Sequence, residues 1–252
     1  MSANPTWDRA GSLPVPVADA GARRIPELAS LRDELPSIDG LFTFMRDAEL
    51  RFETLRMRIE EHTWTARGEE LTASEITLRH PGSARILTTN AAAGPDGPDA
   101  GARADATDSY EAWVSDGTTV RTYTASRKVG TRRPARPMVR GVAGDGSLPG
   151  RSRFYVPRTQ LPMESLAELF IHPGGYCQNV LSTGACRVTG TEVVAGRQAI
   201  VAESAHPRSI ERIADRPDFR IRISVDRTDG VILRLQEAIG DQVTRDALVT
   251  SY

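Results

Sequence analysis

What this sequence lacks narrows its function before any motif is considered. Net charge is one absence: the formal charge is −1 over 252 residues, so a globally basic nucleic-acid binder is disfavoured and nucleic acid is not an expected partner. Long apolar runs are another. None approaches the roughly eighteen residues that a membrane helix needs, so the chain does not read as an integral membrane protein. The start, MSANPTWDRAGSLPVPVADAG, has no basic segment leading into an apolar one, and the chain as written reads as cytoplasmic. Lysine is almost missing, Lys128 being the only one. With the abundant alanine, this suggests the codon bias of a GC-rich genome.

Catalytic sets are scarce as well. The two cysteines, Cys177 and Cys186, form neither a CxxC pair nor a four-ligand zinc set, and without an export signal they are expected as free thiols. The four histidines, His62, His80, His172 and His206, are scattered, and three of them directly precede proline, which marks strand ends and turns. No two lie at the i, i+4 spacing of a helical metal site. There is no G-x-S-x-G elbow, and 144-GDGSLPG-150 lacks the Lys-Ser/Thr of a phosphate loop. The expectation is no cofactor, no metal and no catalysis.

One doublet asks for closer scrutiny. In 225-VDRTDGV-231, Asp226 and Asp229 are three residues apart and Gly230 follows at once. Such a pair serves as a metal site, as an acid–base couple in a hydrolase, or as the corner of a hairpin. A calcium loop started at Asp226 would put Gly230 at position 5 and Val231 at position 6, where an oxygen ligand and a glycine are required. Strands flank the pair on both sides, and Asp, Thr and Gly suit turn positions, so the corner is the favoured reading.

What is present is mostly β pattern. Residues 1–39, rich in Pro, Ala and Gly, read as a flexible tail with a short helix near 26–35. Leu41, Phe44, Met45, Ala48 and Phe52 recur at helical spacing over 40–52, with Asp39 as the expected N-cap. From there the period becomes two. Leu55, Met57 and Ile59 alternate with charged residues, and 74–81 and 84–90 follow the same rule. The segment 109–125 is a hairpin turning at Asp116-Gly117. The stretches 91–108 and 126–151 read as disordered insertions, and 163–170 as a short helix stopped by His172-Pro173-Gly174-Gly175. A final meander runs through 187–194, 197–204, 219–226, 231–238 and 242–252. The expected fold is α+β over residues 40–252: about ten antiparallel strands curled into a half-open barrel, with helices covering the concave face. The basic residues Arg132, Arg133 and Arg136, inside the second insertion, are candidate contacts for an anion, with a solvated loop as the competing reading.

The meander carries a family resemblance. Val194-Ala195-Gly196-Arg197-Gln198-Ala199, then Val225-Asp226, Thr228-Asp229-Gly230 and Leu233-Arg234, resemble the hairpin, "vD", "TG" and "lR" elements of the bacterial lipoprotein-carrier superfamily. That superfamily includes LolA-like, RseB-like and LppX-like proteins, and the similarity covers about residues 41–252. It implies a non-enzymatic protein with a hydrophobic cavity for a lipid, a lipoprotein acyl chain or another apolar ligand. Its alternative is an RseB-like regulatory module acting through a protein partner. An extracytoplasmic location, usual for the superfamily, is the second expectation for compartment. The candidate cavity residues are those on the apolar strand faces: Leu55, Met57, Ile76, Leu78, Ile221, Ile223, Leu233 and Leu235. Ordinary core packing is the competing reading for each.

Overall fold

The computed structural model describes residues 28–31, 35–66, 68–91, 109–135, 140–142, 153–155, 157–207 and 216–252. Helix α1 spans Ile38–Arg46. Its cap is Ser37 and not Asp39: the Gly40 amide donates to Ser37 Oγ at 3.1 Å. Asp39 falls in the first turn, where a carboxylate meets the positive end of the helix dipole. The helix also stops earlier than its apolar period suggests. Ala48–Leu50 forms a single 3-10 turn, which still turns Ala48 into the core.

Two antiparallel meanders follow. The first is β1 (Thr54–Thr65), β2 (Gly68–Arg79), β3 (Ser83–Ala91), β4 (Tyr110–Asp116), β5 (Thr119–Thr124) and β6 (Val129–Pro134). The second is β9 (Ala185–Val194), β10 (Arg197–Ala205), β11 (Phe219–Asp226), β12 (Ile232–Ile239) and β13 (Gln242–Ser251). Pairing of β1 with β13 joins them into one eleven-stranded open sheet in the order β6-β5-β4-β3-β2-β1-β13-β12-β11-β10-β9. A separate ribbon, β7 (Arg140–Val142) with β8 (Arg153–Tyr155), and two short helices, α2 (Leu166–Ile171) and α3 (Gly174–Asn179), lie between the meanders in sequence. The fold is α+β with an unclosed antiparallel sheet, as expected. Register shifts interrupt the β1–β13, β9–β10, β11–β12 and β12–β13 ladders, and such bulges bend and twist the strands that carry them.

Several local expectations need correction. The stretch 126–151 contains β6 and β7. All six residues of β6 are exposed, so the strand has no apolar alternation to reveal it and is held by main-chain pairing to β5. Pro134 is tolerated there because an edge strand need not use every N–H. Pro173-Gly174-Gly175 ends one helix and begins another: Pro173 is the N-cap of α3, where its missing N–H costs nothing. Residues 28–31 carry no helix, yet the Ala29 carbonyl accepts from Arg51 at 2.7 Å and Leu31 packs on the core, so this part of the expected tail is tied down. Most of the expected tail and the insertion at 92–108 lie outside the described residues.

The core lies on one face of the sheet. Leu55 and Met57 of β1 align with Leu78 and Ile76 of β2, and these with Ala84 and Ile86 of β3, while Ile59 lies opposite buried Ser74. Ile221, Ile223 and Val225 of β11 and Leu233 and Leu235 beside them continue the surface beyond β13. Leu41 and Met45 of α1 and Ala167, Phe170 and Ile171 of α2 cover it. Helix α2 packs on both β2 and β12, three places apart in the sheet, so it seals the seam between the meanders. Burying each large aliphatic or aromatic side chain here contributes about 1.5–3 kcal/mol.

Candidate functional site

Beyond β3 the core thins out. Trp113 of β4 is half-buried, Val120 of β5 is buried, and β6 is wholly exposed. No helix covers this end of the sheet among the described residues. Instead the connecting segment 157–163 stands across from the strands, leaving an open groove of about 550 Å³. Trp113, Val120, Leu161, Pro162 and Met163 supply apolar lining, while Arg133, Arg158, Ser115 and Gln160 supply polar groups. Met163 is 56% exposed at the rim. A volume in this range is typical of small-molecule sites, as is an apolar lining with a few polar groups.

The wall opposite the strands is clamped by a buried polar cluster. The Gly82 amide donates both to the Arg158 carbonyl at 3.0 Å and to Thr159 Oγ1 at 2.8 Å. His80 Nδ1 and Thr159 Oγ1 are 2.8 Å apart, and Thr159 is fully buried. The Arg158 amide donates to Glu49 Oε2 at 2.9 Å, and its guanidinium donates to both Glu53 oxygens at 2.9 and 3.1 Å. His172 Nε2 stands 3.4 Å from Glu49 Oε2, and the Phe52 ring stacks on His80 at 5.2 Å. His80 Nε2 has no hydrogen-bond partner among the described residues. Burial, reinforced by the Arg158 charge, pushes the His80 imidazole down to about 4, so it is neutral at ordinary pH.

Gly82 permits this arrangement for two reasons. Its φ of +81° is in the left-handed region, and a Cβ there would lie 2.7 Å from Gly117 Cα in the β4–β5 turn. The two turns therefore stack at one end of the groove.

The eight candidate cavity residues lie elsewhere. Leu55, Met57, Ile76, Leu78, Ile221, Ile223, Leu233 and Leu235 are each at most 5% exposed and belong to one packed cluster under α1 and α2. None of them lines the groove. Arg132 and Arg133 are on β6, with opposite side-chain directions. Arg133 pairs in register with buried Val120 and reaches the groove, whereas Arg132 pairs with exposed Arg121 on the other face. Arg136 lies outside the described residues. Of the groove residues, sequence reasoning singled out Arg133 alone, through its basic stretch; Trp113 on β4 and Leu161 and Met163 on the 157–163 segment lie far apart in the chain and only the fold brings them together.

Asp226 and Asp229 form a corner. Asp226 Oδ1 accepts the amides of Thr228 and Asp229 at 2.8 and 2.6 Å, closing the β11–β12 turn. Arg197 Nε and Nη2 bind Asp226 at 2.5 and 3.0 Å, and Nη2 also reaches Asp229 at 2.9 Å. The Tyr252 hydroxyl donates to Asp229 at 2.7 Å, and burial beside that carboxylate raises the phenol's pKa. Gly230, with φ +79°, lies against Phe44 of α1. The pair thus ties the β11–β12 turn to Arg197 of β10 and to Tyr252, while Gly230 sets that turn against α1. Among the described residues no group of three His, Cys, Asp or Glu side chains is placed to hold a metal, and no helix is long and apolar enough to cross a membrane. Cys177 and Cys186 are free. Burial raises both thiols, Cys186 to about 11.

Comparison with solved structures returns distant likenesses. MucB is 13% identical with a TM-score of 0.43, the match covering 85% of this chain and 57% of that one. The MucA/MucB complex from Pseudomonas aeruginosa gives 12% and 0.43, over 85% and 56%. A LolA superfamily protein from Nitrosomonas europaea gives 9% and 0.30, over 85% and 90%. This chain spans little more than half the length of the MucB chains. No family model and no curated protein sequence matches the chain.

Proposed function

We propose that this is a non-enzymatic binding protein that holds an acyl chain, or another elongated apolar ligand, in the groove between β4–β6 and the segment 157–163. The observation that carries this reading is the groove itself, with Trp113, Val120, Leu161 and Met163 lining it for an apolar chain and Arg133 for a polar head. Ligand uptake needs no reaction, and Asp226 of the Asp226/Asp229 pair is spent on a turn. Native mass spectrometry of the purified full chain should show co-purified lipid, and a fluorescent fatty acid should bind with affinity reduced at least tenfold by Trp113→Ala. Leu235→Ala, in the packed core, should leave that affinity within twofold. A clean apo mass together with no fatty-acid uptake sinks the reading.

A second reading has its own observation. Strand β6 ends the sheet, and no described residue pairs with its outer edge. Such an edge accepts an added strand from a protein partner, as a regulatory module would require. Slowed hydrogen exchange at Val129–Pro134 on adding a captured protein supports this reading; unchanged exchange there removes it.

A further inference from the structure

The strand register assembles an arginine row that the chain order hides. Arg56 of β1 lies opposite Thr77 of β2, Thr77 opposite Arg85 of β3, and Arg85 opposite Val114 of β4. Val114 pairs with Arg121 of β5, and Arg121 with Arg132 of β6. Because strand side chains alternate between faces, all four arginines point away from the core, and all four are exposed. Arg121 meets Asp116 at 3.4 Å. Arg56, Arg85 and Arg132 have no ion-pair partner among the described residues. On an adjacent row of the same face, Glu75 is engaged by Arg58 at 3.1 Å. Like charges directly opposite, as at Arg121 and Arg132, disfavour the pairing they sit on. With a net charge of −1 for the whole chain, such a cationic stripe is a local feature.

We infer that this outer face of the first meander docks on an anionic lipid surface. The arginines recur at about 10, 10 and 5 Å along the row, given a strand spacing of about 4.8 Å. An extended acidic peptide repeats its same-face carboxylates at about 7 Å, a regular repeat that differs from that sequence of gaps. Lipid phosphates move laterally and adopt whatever spacing the protein presents. Two tyrosines flank the row on the same face. Tyr123, two residues along β5 from Arg121, is 36% exposed, and its ring centroid is 5.8 Å from that of Tyr110. Amphipathic rings beside cations suit the headgroup region of a bilayer. The row lies on the face opposite the groove, and the inference stands apart from what the groove holds.

The test is co-sedimentation of the full chain with vesicles of phosphatidylcholine alone, or with about one-third phosphatidylglycerol. Binding is expected only to the anionic vesicles and should fall steeply with salt. Each basic residue near such a surface is worth about a fivefold change in binding, so Arg85→Gln with Arg132→Gln should weaken it about thirtyfold. Arg220→Gln with Arg222→Gln removes the same charge from ion-paired positions on β11 and should change binding less than threefold. Equal binding to neutral vesicles, no binding to anionic ones, or equal loss in both double variants overturns the inference. So does tighter binding of the row to polyglutamate or to an oligonucleotide. Fatty-acid uptake in free solution by the Arg85/Arg132 variant reports on the groove alone, so the failure of one idea is distinguishable from that of the other.

Discussion

Acidification should weaken this fold through His80, and the size of the effect follows from its surroundings. The imidazole is 6% exposed, stacked on Phe52 and held against Thr159, and its pKa falls from 6.5 to about 4. Burial is the main cause and Arg158 the next, with Glu49 opposing both. A depressed folded-state value means that the unfolded chain binds the proton first. Stability is therefore full above about pH 6.5 and is lost as the pH falls through about 4. The whole shift amounts to about 3 kcal/mol, of which about 2 kcal/mol is gone by pH 5. The assay is urea denaturation of the full chain at several pH values, compared with His80→Asn. Asparagine keeps a polar atom near the Nδ1 position facing Thr159 but never takes up this proton. The wild type should lose about 3 kcal/mol more than the variant between neutrality and about pH 4, since the remaining groups titrate alike in both. Parallel profiles would refute the reasoning. Because His80 clamps Thr159, acid should also loosen the groove wall, seen as faster hydrogen exchange at residues 157–163.

Three further outcomes follow from the geometry. Asp226→Asn, which breaks the buried pairing with Arg197, should cost about 3 kcal/mol in denaturant unfolding while fatty-acid uptake at the groove is unchanged. Gly82→Ala combines a positive φ with a Cβ 2.7 Å from Gly117 and should cost more than about 1 kcal/mol; a neutral effect would show that the two turns do not stack as described. The thiols of Cys177 and Cys186 should react with a disulfide reagent only slowly at neutral pH and quickly once the chain is unfolded, since burial raises both.

How much was readable varied with the kind of signal. Phe219–Asp226 was delimited to the residue because Phe219, Ile221, Ile223 and Val225 alternate with Arg220, Arg222 and Ser224. Asp116-Gly117 and Asp229-Gly230 gave the corners, because their chemistry is local. Strand β6 was hidden because it buries no side chain, and the start of β2 because Gly68, Glu69, Glu70 and Thr72 interrupt any apolar alternation and the strand is paired through the backbone. The apolar strand residues named as cavity lining are indistinguishable by pattern from a packed core, and α1 and α2 cover them.

The sequence by itself determined the alternation of strands, their turns and the antiparallel class, because period-two burial and turn chemistry act over a few residues. Local turn chemistry likewise makes Asp226 and Asp229 a corner. Only the tertiary structure decided where the sheet runs short of cover, that His80, Thr159, Glu49 and Arg158 meet, and that Arg56, Arg85, Arg121 and Arg132 share a row. Those facts depend on strand register and on which segment crosses which strand. Register is a property of paired chains, and no single strand carries it.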